Sequence, residues 1–97
     1  MPYDTTPFDA SITVRNGIDG EIHSERIKAV GSMDNAKRHA KRIADSLNLK
    51  PTMGRWITSK TYYAPTSGLH GGWESRAYRE YITKDDDIPH SILILRN

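Results

Sequence analysis

Polar and apolar residues alternate over Ser11-Ile12-Thr13-Val14-Arg15, the period of two expected where one face of a β-strand is buried and the other is wet. Asn16-Gly17 and Asp19-Gly20 follow at once, both tolerant of positive φ, and a second apolar-sprinkled run extends from Ile22 to Val30. Together they predict a β-hairpin. The period then changes. Gly31-Ser32 closes the second strand, Ser32 suits an N-cap, and Asp34 falls in the first turn, where the helix dipole favours negative charge. Met33, Ala36, Ala40, Ile43, Ala44 and Leu47 recur at the three- and four-residue spacing of an amphipathic helix, which Asn48 and Pro51 end. Lys37, Arg38, Lys41, Arg42 and Asp45 lie on the opposite face, where Asp45 is placed to pair with Lys41 one turn earlier.

Two further runs, Met53 to Tyr63 and Trp73 to Lys84, flank a Gly/Pro/Ser-rich loop over 64–72. The first is a strand by composition. The second satisfies helical spacing through Trp73, Ala77 and Tyr81, but its β-prone Tyr78, Tyr81, Ile82 and Thr83 and the lack of a capping side chain before Trp73 favour a strand. After the turn 84–89 comes a last strand, His90 to Arg96, in which Ile92-Leu93-Ile94-Leu95 is apolar on both faces, the mark of a strand covered on both sides. The predicted fold is α+β: a single antiparallel sheet of about five strands in the order ββαβββ, with one amphipathic helix packed on one face. Residues 1–10, with Pro2, Pro7, Tyr3 and Phe8, read as an N-terminal arm, and 11–97 as the single domain. Because one helix covers only one face, Leu93 and Leu95 need another cover if Ile92 and Ile94 take the helix. The arm or a second copy of the chain would supply it, so a homodimer through the C-terminal strand is expected.

Ninety-seven residues hold one domain able to bury about two-thirds of its unfolded surface, enough for an unaided core. The chain has no Cys, which excludes disulfides, thiolate metal sites and thiol nucleophiles. No apolar run approaches a membrane span or a leader, so no membrane partner and a cytoplasmic location are expected. The formal charge of +2 hides an uneven distribution: residues 21–60 carry nine bases against Glu21, Glu25, Asp34 and Asp45. Such a basic middle attracts anionic partners.

Candidate chemistry follows that charge. Lys37, Arg38, Lys41 and Arg42 form a compact group on the helix, suited to phosphate contacts, and Arg55, Lys60, Arg76 and Arg79 are interleaved with six of the eight aromatics. Trp56, Tyr62 and Trp73 are the candidate rings for stacking on unpaired bases or anchoring a protein interface; their ordinary alternative is the core itself. Asp85-Asp86-Asp87 lacks the spacing of a calcium loop and reads as a solvated turn. His23, His39, His70 and His90 are scattered without zinc-ligand spacing. His70-Gly71-Gly72 has no nucleophile elbow beside it, and phosphate-loop and dinucleotide motifs are missing. No catalytic residue, cofactor or metal is therefore expected. The leading expectation is a small non-enzymatic domain that contacts nucleic acid, chiefly its phosphate backbone. The alternative is a regulatory or inhibitory protein, of the accessory type carried by phage or mobile elements, that docks on a larger protein.

Overall fold

The computed structural model describes residues 9–63 and 72–96. It is an α+β fold: β1 (Ala10–Asn16), β2 (Gly20–Ile27), α1 (Met33–Ser46), β3 (Leu49–Pro51), β4 (Ile57–Tyr63), β5 (Gly72–Thr83) and β6 (Pro89–Arg96). The six strands make one antiparallel sheet in the order β2-β1-β6-β5-β3, and β4 also pairs with β5. No helix among the described residues is long and apolar enough to cross a membrane.

The β1–β2 hairpin closes as its turn residues dictate. Asn16 Oδ1 accepts from the Ile18 and Asp19 N–H groups at 3.0 and 2.6 Å, and Gly20 takes φ +76°, a conformation open to glycine without a Cβ clash. β2 stops at Ile27, short of the predicted Val30. Its ladder partner β1 begins only at Ala10, so the Ala29 N–H turns instead to Asp9 Oδ1 (3.0 Å), and Ala29 and Gly31 both adopt positive φ. β1 thus starts inside the predicted arm; of that arm, residues 1–8 lie outside the described part of the chain.

Ser32 caps α1, its side chain accepting from the Asn35 N–H at 3.2 Å. Asn48, at φ 59°, ends the helix and donates to Asp85 Oδ2 at 2.8 Å, so the aspartate turn is tied to the helix C-terminus. α1 lies across β1, β6 and β3. Ala36, Ala40, Ile43 and Ala44 are buried against Ile12, Val14, Ile92, Ile94, Ala77 and Tyr81, and the small alanines bring the helix close to the sheet.

Residues 72–83 are a strand, and pairing explains why: β5 has partners on both edges, β6 on one side and β3 with β4 on the other. Of the run predicted as one strand from Met53, only Ile57–Tyr63 is strand, and β3, which was not predicted, precedes it. Pro51 stands opposite Tyr81 and Ile57 opposite Tyr78, so residues 52–56 have only Arg79 and Glu80 to face on β5 and must leave the ladder.

β6 divides as its doubly apolar sequence requires. Ile92 and Ile94 are fully buried under α1, while Leu93 and Leu95 are only part-buried on the other face. No described element lies over that second face, and Ile57, on the same side as Leu93 by register, is 54% exposed.

Candidate nucleic-acid interface

The break at 52–56 borders a concavity on the helix side of the sheet. Arg79 projects from the helix side of β5 and donates through Nε and Nη2 to the Met53 carbonyl at 3.1 and 2.9 Å. The Thr52 N–H donates to the Glu80 carbonyl at 2.9 Å. These bonds hold the excursion against the sheet and set Trp56 edge-on to Tyr81, with ring centroids 6.3 Å apart and planes at 66°. The Arg79 guanidinium sits 6.0 Å from the Trp56 ring and 5.8 Å from that of Tyr81, a doubled cation–π contact.

Beside this assembly, between α1 and the β3–β5 edge, runs a groove of about 290 Å³. Its floor is Leu49, Pro51, Trp56 and Tyr81, and its helix wall is Lys37, Arg38, Lys41, Ala44 and Asp45. The wall follows from helix periodicity, because Lys41 is four residues after Lys37, and Ala44 and Asp45 are three and four residues after Lys41, so all share a stripe. Burial pushes the Tyr81 phenol above its ordinary value of 10.0, the nearby Asp45 carboxylate adding to the rise against the opposing pull of Arg79. The phenol therefore stays neutral at physiological pH. The groove pairs a flat apolar floor with a basic wall carrying one acid.

The predicted cations divide among several surroundings. Lys37, Arg38, Lys41 and Arg79 converge on the groove with Trp56. Arg38 also borders a second hollow, of about 360 Å³, shared with Asn35, His39 and Arg42 on the other flank of the helix. Arg42 is committed elsewhere: its Nη2 lies 2.9 Å from Glu25 Oε2 on β2. Arg38 donates to Asn35 Oδ1 at 2.8 Å. Arg55 is exposed within the excursion, next to Trp56. Arg76 is on the opposite face of the sheet, three residues before Arg79 and thus of opposite parity on β5. For Lys60, Tyr62 and Trp73 only the backbone falls in the described part, with Tyr62 and Trp73 registered opposite each other at the outer end of the β4–β5 pair.

Of the floor, sequence reasoning named Trp56 and missed Leu49, Pro51 and Tyr81 as site residues, since they carry no charge or motif. Another depression, of about 420 Å³, opens at one end of the sheet among Arg15, Asn16, Tyr78, Glu80, His90 and Ser91. There Arg15 and Glu80 offset each other, so it carries no comparable bias toward anions. Among the described residues no group of His, Asp or Glu is arranged to hold a metal ion. Comparison with known protein families, characterised proteins and solved structures finds no match for this chain.

Proposed function

We propose that this chain is a non-enzymatic, cytoplasmic binding domain for single-stranded nucleic acid, and that the groove between α1 and the β3–β5 edge receives it. The observation that carries this reading is the meeting of Lys37, Arg38 and Lys41 with the Trp56–Tyr81 floor. Cations there would track phosphates while the exposed part of Trp56 stacks on an unpaired base. Arg79 is a positioning residue in this scheme, since its guanidinium is engaged with Met53 and the two rings. The strand would cross the helix at Arg38 toward the hollow by His39 and Arg42. Arg55, exposed and adjacent to Trp56 in sequence, is a further proposed contact. Lys60, Tyr62 and Trp73 remain proposed contacts, while Arg76 on the other face of the sheet lies away from the groove.

The test is anisotropy titration of a labelled oligothymidylate. Lys37→Glu with Lys41→Glu should weaken binding at least about tenfold with the circular dichroism spectrum unchanged. Arg42→Glu should weaken it less, because Arg42 already faces Glu25. Equal losses in the two variants, or none in the first, would count against the groove.

The face bearing Leu93, Leu95 and Ile57, over which no described element lies, favours a second reading, a protein that docks on another protein. Capture that survives nuclease and high salt is its signature, whereas salt-sensitive loss marks the first.

A further inference from the structure

The register of the sheet face away from α1 carries a charge pattern that its sequence order conceals. Three rows cross the strands on the side away from α1. The middle row is Ile57, Tyr78, Leu93, Thr13 and Ser24. On one side of it runs Ser59, Arg76, Leu95, Ser11 and Arg26; on the other runs Glu80, Ser91, Arg15 and Glu21. On β5 and β2 the first outer row ends in arginines, and the second ends in glutamates. The centre is uncharged and largely apolar.

We propose that this face binds a second copy of the chain, sheet against sheet, about a two-fold axis that lies in the interface and runs along the middle row, perpendicular to the strands. That operation stacks the Ile57–Tyr78–Leu93 row on its own copy, which buries the apolar centre. It exchanges the two outer rows, so that Arg76 of each protomer meets Glu80 of the other, and Arg26 meets Glu21. The other in-plane two-fold, parallel to the strands and passing between β1 and β6, exchanges β2 with β5. It would set Arg76 over Arg26 and Glu80 over Glu21, like charge on like, and is rejected on that ground. Within each protomer Arg26 is held by Asp9 at 2.8 Å and Glu80 accepts from the Tyr78 hydroxyl at 3.0 Å, so the contacts between protomers add to bonds these side chains already make. Apolar centre and charged rim are the usual division of labour in an interface. The inference is independent of the groove, which lies on the opposite face under α1.

Sedimentation equilibrium of nuclease-treated protein over a wide concentration series tests it. The expected result is a monomer–dimer equilibrium abolished by Leu93→Asp. Arg76→Glu alone and Glu80→Arg alone should each weaken dimerisation roughly tenfold, since each creates two symmetry-related like-charge contacts. An equimolar mixture of these two variants should recover wild-type affinity as a heterodimer, as should the double variant R76E/E80R. Within one protomer Arg76 and Glu80 are two rows apart on one strand, so the recovery reads contacts between protomers. A dimer whose single variants do not complement on mixing overturns the arrangement. A chain monomeric throughout overturns the proposal; if Tyr3→Asp with Phe8→Asp then destabilises that monomer, the N-terminal segment covers the face, and if it does not, a different partner does.

Discussion

Arg76 and Arg79 are close neighbours in sequence and end on opposite faces of the sheet, one beside Leu95 and the other bonded to the Met53 carbonyl. Their fates differ through parity alone, which the alternation of β5 made legible once the strand was recognised. Arg42 is different: it was grouped with Lys41 by helix position, and only the packing of α1 over the sheet shows that Glu25 claims it. Asp9 offers a residue-scale prediction. The Ala29 N–H, then the Arg26 guanidinium, hold its carboxyl below the ordinary 3.8, so the folded state favours the ionised form. That contribution is complete above the unfolded value and is lost as pH falls from there through the lower folded value. Asp9→Asn should therefore lower stability near neutral pH and flatten the acid limb below about pH 4, as thermal melts across a pH series would show. An acid limb of unchanged steepness would remove Asp9 from the account.

Among elements, α1 was the most legible because its apolar period persists for four turns and its cap is a local hydrogen bond. β3 was not, since three residues cannot display a period, and its existence depends on β5 having an unoccupied edge. The excursion 52–56 was illegible for the same reason: composition made it β-prone, and the ladder excluded it. Its hold by Arg79 can be tested. Arg79→Met keeps the hydrophobic bulk over Trp56 but removes the donors to Met53. It should cost about 1–2 kcal/mol and speed amide exchange over Thr52–Trp56 while leaving β1 and β6 protected. If exchange there does not change, the guanidinium is not what fixes the excursion.

At the scale of the molecule, one helix on one face of a six-stranded sheet gives the described residues two surfaces of contrasting chemistry. The helix side carries the basic groove, and the far side carries an apolar centre between rows of opposite charge. The groove leads to a quantitative expectation: with Lys37, Arg38 and Lys41 as the phosphate contacts, log affinity for a single strand should fall with log salt at a slope of about −2. Titrations at several salt concentrations measure it. A slope near zero would take phosphate contact out of the function, whereas a far steeper one would bring in cations beyond the groove.

By itself the sequence determined the helix, the hairpin, the strand character of the terminal run and the division of β6 into two apolar faces, because each is written in a local period or a turn residue's backbone preference. Only the tertiary structure decided which cations meet. Lys37, Lys41 and Arg79 converge on Trp56 because β3 and β4 share one edge of β5 with more chain between them than that edge can pair, forcing the surplus outward beneath the helix. Arg76 was sent to the other side by a single step of parity. Long-range register sets such encounters, and no window of neighbouring residues contains it.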